Sequence, residues 1–248
     1  MESLPAVRFE GVDKRYRVYR ERYRSLKEVV FHRRFGEWED RWVLKGINLE
    51  IAEGSTFGLI GPNGAGKSTA LKLMSRILVP DHGRVTTNGK VAGLLELGAG
   101  FQPEYTGREN IYLNSSLLGL NRRQVEDRYQ RIVEFSELGD HIEDQLRTYS
   151  SGQAMRLGFS VAIHVDAKIL LVDETLAVGD ESFQRKCFEW LRAFSAGGGT
   201  IVLVSHGLAA IKDLCTHVAW IEDGALKKVG DPGEVVDAYL AQVAVAAQ

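Results

Sequence analysis

Gly61-Pro62-Asn63-Gly64-Ala65-Gly66-Lys67-Ser68 decides the reading of this chain. The stretch fits G-x-x-x-x-G-K-[ST] without deviation, and its surroundings are those the chemistry requires. Before it runs Thr56–Ile60 (TFGLI), a short apolar segment with the look of a buried strand. After it, Ser68–Ile77 carries apolar residues at Ala70, Leu71, Leu73, Met74 and Ile77, which is helix spacing. Strand, glycine-rich turn and helix together make a phosphate-binding loop. The glycines let the backbone curl so that successive N–H groups point at phosphate oxygens, and the helix adds its positive N-terminal end. Lys67 is a point charge for β- and γ-phosphates, the Ser68 hydroxyl suits Mg2+, and Thr69 follows on the same helical turn.

Working outward, Lys168–Val172 is a second apolar run, and it ends on Asp173-Glu174. Two carboxylates at the end of a buried strand can divide the work of phosphoryl transfer. Asp173 holds the cation through its water shell, and Glu174 polarises the attacking water. An Asp-Glu pair alone is a weak signal; beside the phosphate loop it is a strong one. Between the two lies Tyr149-Ser150-Ser151-Gly152-Gln153, which opens a helix over Gly152–Ala167. A small hydroxyl residue at a helix N-terminus reads either as an N-cap or as a second anion site.

The remaining elements follow from periodicity. Val7–Phe9, Leu49–Ile51 and Thr200–Val204 read as strands, and Val218–Glu222 with Lys227–Val229 as a hairpin through Asp223-Gly224. Arg108–Leu118 and Arg122–Leu138 carry helical spacing, and the tail from Gly233 reads as one more helix. Polar chemistry at the carboxyl ends of buried strands, with helices between them, describes an α/β sheet whose ligand sits along that edge.

The chain has 248 residues and 44% hydrophobic content, enough for a substantial core. Its net charge of −2 gives no whole-molecule basis for nucleic-acid binding. Cys187 and Cys215 have neither metal-like spacing nor a disulfide framework, and read as buried packing residues in a reduced setting. The N-terminus lacks a basic flank followed by an apolar run, so it does not read as a signal peptide. No stretch approaches the ~18 consecutive apolar residues that cross a bilayer. The expectation is a soluble chain that reaches a membrane only through another polypeptide.

The order of these motifs resembles that of an ABC-transporter nucleotide-binding domain over nearly the whole chain. The resemblance implies an α/β P-loop NTPase fold with a RecA-like parallel core, an antiparallel β subdomain and a helical subdomain over about residues 104–165, all within one domain, 1–248. It implies ATP and Mg2+ as ligands. It also assigns roles. Gln102, in Phe101-Gln102-Pro103-Glu104, falls at the glutamine loop that joins nucleotide, Mg2+ and membrane subunit. His206 falls at the switch histidine that contacts the γ-phosphate. Asp180 falls at the D-loop, and Tyr16 at the aromatic that stacks on adenine, with Tyr19 and Tyr23 as competitors. The family signature is usually L-S-G-G-Q; here Tyr149 and Ser151 replace its first and third residues, while Ser150, Gly152 and Gln153 remain. The family arrangement implies a homodimer in which Lys67, Ser68, Asp173, Glu174 and His206 of one subunit meet Ser150 and Gly152 of the other. It further implies polytopic membrane permease subunits as partners.

Leu94–Asn110, together with the pairing of Tyr-Ser-Ser-Gly and Leu-Ala-Val-Gly-Asp, resembles the ATPase subunits of bacterial O-antigen, capsule and teichoic-acid exporters. That points to the cytoplasmic face of the inner membrane. An insertion over about residues 20–40 supports it. Residues 13–34 carry nine Lys/Arg against three Asp/Glu, and in Ser25–Phe35 Leu26, Val29 and Val30 share one helical face. A basic amphipathic helix suits a membrane surface or an anionic ligand. In the polysaccharide exporters the insertion lies near the channel mouth, where the substrate is a lipid-pyrophosphate glycan, an anion for Arg33, Arg34 and their neighbours. Two rival readings share the catalytic motifs: an importer ATPase for a small solute, and a soluble ABC ATPase acting on ribosomes or DNA. The insertion and the glutamine-loop wording separate the first. The second usually carries paired domains or a long coiled coil, which this chain lacks. Some O-antigen exporters add a carbohydrate-binding domain after the final helix, near where this sequence stops.

Overall fold

The computed structural model describes residues 4–19, 38–94, 97–173, 180–205 and 207–246. Glu174, His206, Tyr23 and the basic stretch 25–35 lie outside the described residues.

The sheet that positions the site is β5-β6-β7-β3-β8-β9, with β3 Thr56–Ile60, β5 Val91–Gly93, β6 Ile169–Val172, β7 Thr200–Val204, β8 His217–Glu222 and β9 Ala225–Gly230. All neighbours are parallel except β8 and β9. Strands β3, β6 and β7 are buried at every position because both faces are covered. Alternate residues therefore feed different cores. Phe57, Leu59, Ile169, Leu171, Val202 and Val204 join one, while Leu170, Val172, Ile201 and Leu203 join the other.

The first core is closed by helix α1, Lys67–Met74, and by a three-stranded antiparallel sheet, β2-β1-β4. There β1 is Val7–Tyr19, β2 Trp38–Ile51 and β4 His82–Thr87. The second core is shared with helices α2 Gly107–Leu117, α3 Arg122–Ser136 and α4 Ser151–Ile163, and with α5 Glu181–Ala196, α6 Leu208–Leu214 and α7 Pro232–Ala246. Each of α2, α3 and α4 starts with a reciprocal capping box: Thr106 with Glu109, Asn121 with Gln124, Ser150 with Gln153. Three chain-local signals of this kind in a row explain why these helices start within one residue of the positions the periodicity predicts, although α4 ends at Ile163 and not at Ala167.

Boundaries differ where special backbone intervenes. The helix expected to reach Ile77 ends at Met74, with Arg76 in the left-handed region (φ 60°). The one expected to reach Leu138 ends at Ser136, with Glu137 at φ 57°. Strands β1 and β2 run much further than Val7–Phe9 and Leu49–Ile51. Their outer halves form a ribbon held by edge chemistry and not by burial: Arg15 pairs with Asp40 at 2.6 Å, and Arg17 stacks over Trp38 at 4.3 Å. Helix α5 buries Phe183, Cys187 and Leu191, an i, i+4, i+8 stripe that the sequence carries but that periodicity alone left unassigned.

Cys187 and Cys215 are buried, and burial pushes both thiols up to about 12. Only a thiolate is a competent nucleophile. Ellman's reagent at pH 8 is expected to leave both unmodified in the folded protein and to titrate both after denaturation. Fast labelling of either without unfolding would contradict the packing role.

Candidate functional site

The carboxyl ends of β3, β6 and β7 lie side by side, because Leu59 pairs with Val204 and Val172 with Leu203 in a parallel register. Gly61, Asp173 and Ser205 thus follow at one sheet edge. The phosphate loop leaves β3 there. Gly61 has φ 145°, and a Cβ on it would fall on the Ile221 carbonyl. Gly66, the N-cap of α1, has φ 109°, and a Cβ there would sit 2.6 Å from Leu44 Cδ2 and 2.8 Å from the Val43 carbonyl. Both positions demand glycine, for conformation and for space.

Lys67 is almost wholly buried, 6% exposed, and its ammonium donates to the carbonyls of Gly61 at 2.9 Å and Pro62 at 3.0 Å. The cation is thereby held over the loop. Asn63, Gly64, Gly66, Lys67, Ser68 and Thr69 line a cavity of about 410 Å3 whose outer wall is the β1–β2 ribbon. Tyr16, half exposed at 39%, is part of that wall. Among the three tyrosines the sequence offered, Tyr16 lines the cavity with the loop. Tyr19 pairs through its backbone with Trp38, at the far end of the ribbon.

The signature segment lines a different cavity, of about 680 Å3, with Ser150, Ser151, Gly152, Gln153, Arg156 and Asp180 among its walls. Here Ser150 is an N-cap: its hydroxyl oxygen accepts the Gln153 N–H at 3.2 Å, and the Gln153 side chain accepts the Ser150 N–H at 2.9 Å. Such a cap contributes about 1 kcal/mol to a helix. Asp180 caps α5 in the same way, accepting from Phe183 N–H at 3.0 Å and from the Ser182 hydroxyl at 2.7 Å.

Arg156, which sequence reasoning passed over, joins these two helix starts. Its guanidinium donates to Asp180 at 2.6 Å and to Glu137 at 3.3 Å, and lies 4.9 Å from the Phe183 ring. One turn along the signature helix from Gly152, it was in view as an arginine; only its partners, 19 and 24 residues away, were not.

Gln102 sits on an exposed turn that a buried amide holds in place. Asn110, fully buried, accepts the Gln102 N–H at 2.7 Å and donates to the carbonyls of Gln102, Tyr105 and Thr106 at 2.9–3.2 Å. Asp173 is half-buried at the end of β6. Among the described residues no three of His, Cys, Asp and Glu group as a metal site. Ser68, on the phosphate-loop cavity, and Asp173, at the end of β6, carry hard oxygen donors of the kind Mg2+ accepts.

A phosphate loop at the carboxyl edge of a parallel sheet defines a P-loop nucleotide-binding protein. The ABC transporter family model matches residues 44–177, more than half of the chain. The chain is 46% identical to the O-antigen export system ATP-binding protein RfbB of Klebsiella pneumoniae, over 95% of this chain and 97% of that protein. It is 36% identical to the teichoic acids export ATP-binding protein TagH of Bacillus anthracis, over 94% of this chain and 42% of that one. Among solved structures, a dimeric post-hydrolysis state of the ATP-binding cassette MJ0796 bound to ADP and Pi superposes with a TM-score of 0.72, covering 91% of this chain and 98% of that one at 21% identity. The chain belongs to the ABC transporter family and is an ATPase of that family.

Hydrogen bonds from Phe183 and Ser182, with Arg156 beside it, hold the Asp180 carboxyl below the ordinary aspartate value of 3.8. A depressed carboxylate stabilises the fold above its unfolded pKa, and that contribution is lost as pH falls through the folded value. NMR titration of labelled Asp180 is expected to give a midpoint below 3.8, with α5 N-terminal amide protection falling only beneath it. A midpoint at or above the free value would disprove the cap-and-tether arrangement.

Proposed function

We propose that this chain is the ATP-hydrolysing subunit that powers export of a lipid-linked polysaccharide, O-antigen-, capsule- or teichoic-acid-like, across the bacterial cytoplasmic membrane. The relatives named for O-antigen and teichoic-acid export support the cargo class. The subunit sits on the cytoplasmic face, held by polytopic permease partners; no described helix is long and apolar enough to span a bilayer. Tyr105 and Leu117, apolar and exposed near the Gln102 turn, offer a surface for such a partner.

The observation that carries the catalytic reading is the division into two half-sites. Tyr16, Lys67, Ser68 and Thr69 line one cavity, and Ser150, Gly152, Gln153 and Asp180 line another. Two copies related by a two-fold axis pair the first cavity of one with the second of the other, giving two equivalent composite sites. Tyr16 stacks on the base. The loop N–H groups and Lys67 hold the phosphates, while Ser150 and Gly152 of the opposite copy meet the γ-phosphate. Ser68, Asp173 and Gln102 hold Mg2+, which supplies charge neutralisation of the phosphates when bound. Glu174 takes a proton from the attacking water and His206 donates to the γ-phosphate. Gly61, Pro62, Asn63, Gly64, Ala65 and Gly66 shape the cradle. The permease complex of Glu174→Gln is expected to lose turnover by at least a hundredfold while forming an ATP-stabilised dimer by size exclusion. Normal hydrolysis by that variant would remove Glu174 as the base.

The basic stretch 25–35 is proposed as the contact for the lipid-pyrophosphate headgroup, on its excess of arginine and its single apolar face. In the reconstituted exporter, Arg33→Glu with Arg34→Glu is expected to abolish substrate stimulation of the ATPase and leave basal hydrolysis in place. Unchanged stimulation and export would discard the contact.

A further inference from the structure

The outer wall of the nucleotide cavity is sequence-specific to the ribbon. Register places Arg41 directly opposite Tyr16, and direct partners in an antiparallel pair share a face. Tyr16, Val18, Arg41 and Val43 all line the cavity with Lys67 and Ser68. The arginines one step out of phase, Arg15 and Arg17, are spoken for on the other face. Asp40 and Asp81 lie within 2.6–3.7 Å of them, and Trp42 and Trp38 lie beneath their guanidinium groups.

Arg41 differs. Among the described residues its guanidinium has no hydrogen bond, ion pair or ring contact, although it borders a concave site. A guanidinium has five N–H donors and no acceptor, so the group is suited to anionic or lone-pair-bearing ligands. Its position along the site is set by the strand. Val43 touches the loop, since its carbonyl is 2.8 Å from where a Gly66 Cβ would lie. Arg41 is two residues further on the same face, roughly 7 Å away. That is past the phosphate loop, at the strand position paired with Tyr16.

We infer that Arg41 is a second nucleotide-binding cation, engaging the base, ribose and α-phosphate end of the nucleotide from the strand opposite Tyr16. The inference rests on the assignment of this cavity to ATP. Lys67 secures the β- and γ-phosphates, while Arg41 and Tyr16 clamp the part that ATP and ADP share. The ribbon, and not only the loop, then sets how firmly product is held after hydrolysis.

Isothermal titration of the full chain with ADP and with a non-hydrolysable ATP analogue tests this. Arg41→Ala is expected to weaken both by a similar factor, about three- to tenfold, the range of one charge-assisted contact at a partly exposed site. Arg41→Lys is expected to recover part of the loss, and raising the salt concentration to shrink it. Arg84→Ala, on exposed strand β4 and away from the cavity, serves as the control and is expected to bind as the unaltered chain does. Arg41→Ala with unchanged affinity for both ligands, or with a loss confined to the ATP analogue, overturns the inference. Lys67→Ala separates the two levels: if it binds normally, the assignment of the cavity fails; if it loses binding while Arg41→Ala binds both ligands with unchanged affinity, only the role of Arg41 fails.

Discussion

Burial of both faces of the parallel sheet is the constraint on which the rest depends. A strand with water on neither side has no polar positions to spare, so its chemistry must wait for its end. Strands β3, β6 and β7 are buried throughout, with polar side chains only at Thr56 and Thr200, where β3 and β7 begin, and each changes character within one residue of leaving the sheet, at Gly61, Asp173 and Ser205. The parallel register then brings those ends together. Alternate side chains knit two separate cores to the same strands, so the antiparallel sheet and the helices are each anchored to the edge where the phosphate loop opens. At roughly 25 cal/mol per Å2 of apolar surface, these cores outweigh any polar contact at the site by a wide margin.

The sequence made the site's parts legible but not their spacing in three dimensions. The loop, the acid pair and the signature segment are local patterns, each carried by consecutive residues and each tied to one strand end or helix start. Strand order is not local: β7 lies between β3 and β6 although it comes last of the three in the chain. Nor are the cross-chain ties of Arg156 and Asn110, which depend on packing between segments that sequence separates. The ribbon was missed for a related reason. Most positions in its outer half are exposed, so no apolar alternation marks it. Its order comes from backbone pairing and from arginines stacked on tryptophans. Among the proposed catalytic residues, Glu174 and His206 rest on sequence alone, each adjoining a described residue at the sheet edge, Asp173 or Ser205.

At the second cavity the proposed γ-phosphate contact, Ser150, is also a helix cap, and so is its neighbour Asp180. Ser150 begins α4 and Asp180 begins α5, and Arg156 ties the two together with a largely covered side chain, 17% exposed. Ser151 in place of a second glycine does not disturb this geometry, since it opens α4 as an ordinary helical residue. The departure from the family's usual signature therefore falls where the backbone is helical and needs no glycine freedom.

The Ser150 cap also bears on the proposed composite site. A hydroxyl has a single proton and two lone pairs. Ser150 uses a lone pair to hold the Gln153 N–H, and among the described residues its proton goes to no acceptor. The same bond that fixes the helix start therefore fixes the oxygen while leaving its donor available on an exposed surface. A phosphate bound there, as proposed above, need not unwind the helix or compete with the cap. On the proposed composite site, this half is preorganised, and the entropy of ordering it is met when the chain folds.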